Sequence, residues 1–248
     1  MPGAVNNFTV IESVYGRFVV NRHCAFQAEY LIKTGLPHIE SELRNLLAVV
    51  KSLPANCVVV DAGANIGLVS VPVAHAIKAS GGVVHAFEVQ RMMFYALCGA
   101  VALNDLTNLY AHHRGVGATS AWLKVPTVDY GQPQDFGALS LTGQDAIGAA
   151  TAEMVEIVPL DALSLPRLDF LKIDVEGMEI DVLKGARRLL TSFEPWCWIE
   201  YWITGAETIK HEFHGLDYEF FLMDKLNMLC APRRRLANAG IRINGQQT

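Results

Sequence analysis

The residues best suited to chemistry stand where short apolar segments end on glycine or on an acid. The first such place is Asp61-Ala62-Gly63-Ala64-Asn65-Ile66-Gly67, after the β-branched residues 58–60. Glycine lacks a Cβ, so the turn can be tight and a ligand can approach its main chain, while a helix starting behind it offers unpaired N–H groups. The spacing fits neither the G-x-G-x-x-G of a dinucleotide fold nor a P-loop. A tight strand-to-helix turn without a ligand is the alternative.

Glu88 ends the next apolar segment after the glycine turn. A carboxylate at that place can accept hydrogen bonds from the two vicinal hydroxyls of a ribose. A cap on the helix predicted for 91–103 is the alternative. The order of glycine turn and acid favours the ribose interpretation.

A second group of charged residues stands near the ends of two later apolar segments. Lys172 and Asp174 share one side of a predicted strand, and buried charges in such a strand need partners. Glu176 follows two residues later, and Glu200 is the lone charge within segment 196–202. Acids so placed can act as a general base or can together bind a divalent cation such as Mg²⁺. For Glu176, a helix cap is the alternative.

The elements that must position these residues alternate between strands and helices. Alternating apolar residues predict a hairpin within 1–24. Continuous apolar runs and alternation then predict strands at 58–60, 83–88, 110–117, 169–174, 196–202, 220–223 and 228–231. Apolar residues spaced three and four apart predict helices at 25–53, after Gly67, at 91–103 and at 179–190. Residues 118–150 are rich in small and polar types and predict loops, with an ordered piece at 136–141.

Composition limits the classes of protein that this chain can belong to. The length favours one domain, with residues 1–55 as an N-terminal strand and helix elaboration that packs on a core domain formed by 56–248. The net charge of −5 and the pI near 5.9 argue against nucleic acid as a primary partner. Arg233-Arg234-Arg235 is interpreted as a solvated tail or loop.

The cysteines and the apolar runs bear on compartment. Five widely spaced cysteines have no zinc-ligand spacing, and they suit the reducing cytosol. No signal peptide is recognised, and no apolar run reaches the ~18 residues of a membrane span. A cytoplasmic location is therefore expected.

Through the glycine turn and the charged segment around Asp174, the chain resembles the FkbM-type methyltransferases. These have the class I methyltransferase fold and use S-adenosylmethionine (SAM). The resemblance covers roughly 38–203, and its glycine motif is Asp61-Ala62-Gly63-Ala64-Asn65-Ile66-Gly67. Phe87-Glu88 matches a second motif, although Val89 stands where proline is usual. The most specific match is Leu160-Asp161 to Leu163 followed by Asp169-Phe170-Leu171-Lys172-Ile173-Asp174-Val175-Glu176-Gly177-Met178-Glu179. Leu183-Lys184-Gly185-Ala186 and Ile199-Glu200 extend it.

The resemblance implies an α/β, Rossmann-like fold with a seven-stranded, mostly parallel sheet, helices on both faces and an antiparallel final strand. Ligands bind such sheets at the carboxyl ends of the strands. It also implies a set of SAM-binding residues, with Glu88 on the ribose: Asp61, Gly63, Ala64, Asn65, Gly67, Glu88, Val116, Gly117 and Asp174.

The activity implied is methyl transfer from SAM to a hydroxyl on a sugar or a natural-product-type small molecule. Asp174 and Glu176, with Glu200 third, are the candidate catalytic acids, and Asp174 and Glu176 are the candidate ligands if Mg²⁺ takes part. The alternative is a catalytically inactive methyltransferase-fold protein that binds SAM as a sensor or partner subunit. A nucleotide-dependent oxidoreductase is disfavoured because G-x-G-x-x-G is missing. Neither the acceptor nor the oligomeric state is specified by these motifs.

Overall fold

The computed structural model describes residues 6–137, 151–240, 243 and 245–248. Its strands, in chain order, are β1 (Phe8–Ser13), β2 (Gly16–Asn21), β3 (Val58–Ala62), β4 (Val83–Phe87), β5 (Leu109–His112), β6 (Gly115–Val116), β7 (Ala121–Pro126), β8 (Ala152–Val158), β9 (Phe170–Ile173), β10 (Trp196–Glu200), β11 (Tyr218–Leu222), β12 (Asn227–Pro232) and β13 (Gln246–Gln247). Its α-helices are α1 (Ala25–Thr34), α2 (Glu40–Val50), α3 (Ser70–Lys78), α4 (Arg91–Leu103), α5 (Glu179–Gly185), α6 (Arg187–Phe193), α7 (Ala206–Glu212) and α8 (Arg233–Ala239).

The main sheet has the strand order β13-β11-β12-β10-β9-β3-β4-β5. The strands from β10 to β5 pair in parallel, whereas β12 is antiparallel to both β10 and β11. The expected α/β fold and its antiparallel final strand are confirmed. The sheet is mixed, however, and the two-residue β13 extends the seven expected strands at one edge.

Alternate side chains of the central strands belong to two separate apolar cores. Val59 packs with α2, α3 and α4, whereas Val60 packs with α5 and α6. Trp198 and Ile199 on β10 divide in the same way. Because successive strand residues point to opposite faces, this division places helices on both faces of the sheet, as expected.

The N-terminal segment forms the predicted hairpin, β1 and β2, and the predicted helical region, α1 and α2. Its residues Phe18, Leu31 and Leu43 are buried in the same core as Val59. The segment therefore packs on the sheet through apolar side chains. The division of the chain at residue 55 stays a prediction.

A second, three-stranded sheet, in the order β6-β8-β7, replaces part of the predicted loop region. The segment 110–117, predicted as a strand or the exit of one, divides between two sheets, since β5 joins the main sheet while β6 pairs with β8. Residues 121–126 form β7 rather than loop. Of the ordered piece predicted at 136–141, Phe136 is buried, and residues 138–141 lie outside the described residues.

The helix predicted over 179–190 is two helices, α5 and α6, which meet at Ala186. Just before the break, Gly185 lies against the backbone of Gly117. A Cβ on Gly185 would lie 2.0 Å from the Gly117 carbonyl oxygen. This approach brings the exit of β6 against the end of α5.

The three consecutive arginines do not form a solvated tail, because they begin α8. Arg235 Nη1 lies 3.1 Å from Oδ1 of Asp169, which is fully buried before β9. Asp169 also accepts a hydrogen bond from the Val58 N–H. The sequence showed three charges in a row, but only the fold shows the buried partner.

Within the described residues, no helix combines the length and apolarity needed to cross a membrane.

Candidate active site

The carboxyl ends of β3, β4, β9 and β10 open onto one cavity of about 490 Å³. This volume lies within the usual range for small-molecule sites. Glycine-turn residues and Glu88 line it, together with the acids that follow β9 and end β10. The two groups of residues singled out in the sequence therefore share a single cavity.

The glycine turn is shaped by a close approach between two strand ends. Gly63 has φ +83°, and a Cβ there would lie 1.7 Å from the Asp174 carbonyl oxygen. The N–H groups of Gly63 and Ala64 both donate to the Phe87 carbonyl, at 3.0 and 2.9 Å. Asn65 N donates to Glu88. These three N–H groups are thus engaged within the chain, so this part of the turn contributes space rather than donors.

Glu88 is held by backbone donors on both sides of its carboxylate. Oε2 accepts from Asn65 N and Oε1 accepts from Gln90 N, each at 2.7 Å. Burial raises the pKa of Glu88 to about 7, while these bonds favour the charged form. Each oxygen has a second lone pair, so the carboxylate can still accept hydrogen bonds from a ligand in the cavity. Capping and ligand binding are thus compatible at this residue.

Lys172 is a buried cation surrounded by oxygen atoms. Its Nζ lies 3.2 Å from Asp61 Oδ1 and 3.1 Å from Asp174 Oδ2, and it donates to the Gly63 carbonyl at 2.8 Å. Burial alone would lower the pKa of Lys172, but Asp174 and Asp61 raise it. The lysine therefore stays charged and fixes the orientation of Asp174.

Asp174, Glu176 and Glu200 form a cluster in which one carboxylate oxygen from each residue lies within 4.8 Å of the other two. Burial, and then the charge of Asp174, raise the pKa of Glu176 to about 7 and that of Glu200 to about 9. At neutral pH, Glu200 therefore carries a proton and Glu176 is close to half ionised. The cluster can accept or release a proton near neutral pH.

The turn that carries these acids is ordered by another acid, Glu179. Glu176 has a positive φ of 53°, a region that side chains rarely adopt. Glu179 is buried, and its Oε1 accepts from Gly177 N at 3.0 Å while its Oε2 accepts from Thr204 Oγ1. These bonds stabilise the turn, which is how Glu176 comes to face the cavity.

The predicted site residues divide into those that line the cavity and those that support it. The lining contains Gly63, Ala64, Asn65, Glu88, Val116, Asp174, Glu176 and Glu200. Asp61, Gly67 and Gly117 lie behind it. Asp61 is buried against Lys172 and Ser70, a Cβ on Gly67 would meet Leu97 and Val71, and one on Gly117 would meet Ile157.

The cavity also contains residues that sequence reasoning missed, namely His38, Glu42, Gln90 and Asp135. Glu42 Oε1 accepts from the indole N–H of Trp198 at 3.1 Å, and burial raises the pKa of Glu42 to about 7. One signal was present, because Glu42 stands four residues before buried Leu46 on the apolar face of α2. His38 and Asp135 stand in connecting segments, where no periodicity marks them.

The sequence profile of the Methyltransferase FkbM domain family matches residues 61–231, which is more than half of the chain. The chain belongs to the FkbM methyltransferase family. The resemblance inferred from the motifs is thereby confirmed.

Two relatives give the extent of the similarity. The chain is 31% identical over 164 residues to methyltransferase sdnD of Sordaria araneosa, a match that covers 55% of this chain and 62% of that protein. A crystal structure of methyltransferase FkbM from Methylobacillus flagellatus KT has a TM-score of 0.52 at 20% identity, covering 72% of this chain and 44% of that one. The chain therefore spans less than two thirds of either relative, and the second similarity shows the fold alone.

Proposed function

We propose that this protein is a SAM-dependent O-methyltransferase that acts on a hydroxyl of a sugar or a natural-product-type small molecule. One observation carries the proposal. The glycine turn with Glu88 and the acid cluster of Asp174, Glu176 and Glu200 line the same cavity at the carboxyl ends of the central strands. In an open α/β sheet this is the ligand-binding end.

The chemistry of the cavity suits SAM. Glu88 would accept from the ribose hydroxyls, the glycine turn would lie against the ligand, and Val116 would border the adenine. SAM supplies a cationic sulfonium that carries the methyl group. The described lining contains more carboxyl groups than cations, which favours a cationic ligand over an anionic one.

Proton removal from the acceptor falls to Glu176 in this proposal. A general base works best when its pKa is near the working pH, and the pKa of Glu176 is raised to about 7. Asp174 is engaged by Lys172, and Glu200 holds a proton at neutral pH because its pKa is raised to about 9. Glu200 then serves as a hydrogen-bond donor rather than as the base proposed third from the sequence.

Mg²⁺ is not required by this proposal, although three carboxylates of the cluster could supply ligands. Lys172 already lies 3.1 Å from Asp174, and a divalent cation at that carboxylate would be repelled by it. Methyl transfer should therefore persist in the presence of EDTA. Loss of transfer in EDTA, restored by added Mg²⁺, would show instead that the cluster binds a metal.

Calorimetric titration with SAM, and in parallel with NAD, tests the proposed cofactor. We expect SAM to bind and NAD not to bind. Glu88→Ala should weaken SAM binding by roughly 10-fold to 100-fold, because a hydrogen bond to a charged group contributes about 1.5–3 kcal/mol. The control is Glu207→Gln, whose side chain is 87% exposed on α7. Binding of NAD in place of SAM, or unchanged SAM affinity in Glu88→Ala, would contradict the proposal.

A further inference from the structure

One wall of the cavity is built by residues that precede the segment matched by the FkbM family. That segment begins at residue 61. Phe26 and Gln27 from α1, His38 and Ile39 from the connection to α2, and Glu42 from α2 all line the cavity. The central strands, which carry the acid cluster, form the facing wall. A segment outside the matched region thus faces the proposed point of methyl transfer.

The mouth of the cavity is apolar on both sides. Phe26 is 63% exposed on the α1 side, and Trp202 is 55% exposed beyond the end of β10. Leu226 adds to the same rim and is also exposed. Large apolar side chains exposed together at a cavity mark a place for an apolar ligand.

His38 offers a polar atom within this apolar surround. Its ring packs edge-on against Phe26, with centroids 5.0 Å apart. Its Nδ1 is inaccessible to solvent and has no hydrogen-bond partner among the described residues. A buried ring nitrogen without a partner costs stability, and because His38 lines the cavity, a rotation of its ring would bring this nitrogen to a ligand hydroxyl. Burial also lowers the pKa of His38, against the effect of Asp135 and Asp174, so the ring favours the neutral form that can donate or accept.

The charges of the lining limit the kind of molecule that fits. The carboxyl side chains in the described lining are those of Glu42, Glu88, Asp135, Asp174, Glu176 and Glu200. The cationic ones are Lys172 and Arg114, and each of these is already paired with an acid. An anionic acceptor would therefore meet net repulsion.

We propose that residues 26–42 form the acceptor subsite and that His38 is a positioning residue that hydrogen-bonds the acceptor hydroxyl, while Phe26 and Trp202 contact an uncharged ring. This inference rests on the proposed function, because it takes SAM to occupy the glycine-turn side. It assigns acceptor specificity to a segment that the family profile does not cover.

Three aromatic probes that share one ring system test the subsite, with the protein saturated with S-adenosylhomocysteine. The probes are 2-naphthol, naphthalene and 2-naphthyl phosphate, and their affinities are measured by calorimetry. We expect 2-naphthol to bind roughly threefold to tenfold more tightly than naphthalene, as one neutral hydrogen bond allows. The phosphate ester should bind more weakly than 2-naphthol.

Matched variants separate positioning from a structural role. His38→Phe keeps the ring but should abolish the preference for 2-naphthol over naphthalene, and His38→Asn should restore part of it. Trp202→Ala should weaken both probes by the same factor. The control is His75→Phe, which changes an exposed histidine on α3 outside the cavity and should alter neither probe.

SAM affinity distinguishes failure of this inference from failure of the proposed function. If SAM binds but 2-naphthol does not, or if His38→Phe retains the preference, the acceptor subsite is wrong and the cofactor assignment stands. Tighter binding of 2-naphthyl phosphate than of 2-naphthol would also overturn it. If SAM does not bind to the wild-type protein, both proposals fail together.

Discussion

At the scale of single residues, the cavity contains several buried acids whose pKa values are all influenced by the charge of Lys172. Burial is the largest cause of raised pKa values in Glu42, Glu88, Glu176 and Glu200. Lys172 lowers each of them, but by less than burial raises them. At neutral pH these acids are therefore protonated or half ionised. Acids in this state can exchange protons with a ligand.

These pKa values predict how stability depends on pH. The carboxyl of Glu200 loses its proton near 4.5 when unfolded but near 9 when folded. Between these values the folded state binds more protons, so this contribution to stability is present below pH 4.5 and is lost as pH rises toward 9. Glu200→Gln removes the titration, and its stability relative to the wild type should therefore increase from pH 5 to pH 9.

Urea denaturation at a series of pH values measures this difference. Glu207→Gln is the control, since the side chain of Glu207 is mostly exposed and the difference from the wild type should stay constant. A difference for Glu200→Gln that also stays constant would show that Glu200 titrates normally in the folded protein.

At the scale of elements, the site depends on the approach of the β3–α3 turn to the end of β9. Gly63 permits this approach because it has no side chain, and the Asp174 carbonyl lies where a Cβ would stand. The same approach places Lys172 within reach of both Asp61 and the Gly63 carbonyl. One residue type therefore sets the distance between the turn and the acid cluster.

Gly63→Ala should destabilise the protein by at least about 3 kcal/mol, because it adds a steric clash to an unfavourable positive φ. Gly215→Ala is the matched control. Gly215 has φ +79°, similar to the +83° of Gly63, but no described atom lies within 4 Å of its Cβ position. Gly215→Ala should lower the free energy of unfolding by about 1–2 kcal/mol. Equal costs in urea denaturation would mean that the contact with Asp174 contributes nothing.

At the scale of the whole molecule, the N-terminal segment and the sheet share one core. Leu43 and Leu46 of α2 are fully buried in the cluster that contains Val59 and Val84. The indole of Trp198 in β10 donates to Glu42 of α2. We therefore propose that residues 1–55 are an elaboration that folds together with a methyltransferase domain formed by 56–248.

Leu43→Ala should lower the free energy of unfolding by about 2–5 kcal/mol, the usual cost of a cavity in a core, and unfolding should remain a single transition. Tryptophan fluorescence and far-ultraviolet circular dichroism should then give the same midpoint. Ile32→Ala, at a residue of α1 that is 62% exposed, should change stability by less than about 0.5 kcal/mol. Separate midpoints would show that the N-terminal segment unfolds independently.

Some expectations concern the setting of the protein and stay predictions. These are the cytoplasmic location, inferred from the cysteine pattern and the lack of a recognised signal peptide or long apolar run, and the absence of a nucleic-acid partner, inferred from the net charge.

Local patterns in the sequence determined the family, the order of most elements and four of the acids that line the cavity. Strand ends are marked by apolar runs that stop on glycine or on an acid, and in a parallel sheet these ends meet at one edge. Glu88, Asp174, Glu176 and Glu200 were found for this reason. Each signal lies within a few residues of the chain and needs no tertiary contact.

Only the tertiary structure decided which residues support the site and what faces it. Asp61 and Gly117 lie behind the cavity lining because Lys172 and Ile157 stand between them and the cavity. The spacing of residues in the sequence does not indicate how deeply a side chain lies behind a cavity wall. His38 and Glu42 face the acids only because α1 and α2 pack on the sheet beside the cavity. Contacts between distant segments depend on packing, and packing also set the pKa values, because burial arises only when the chain is folded.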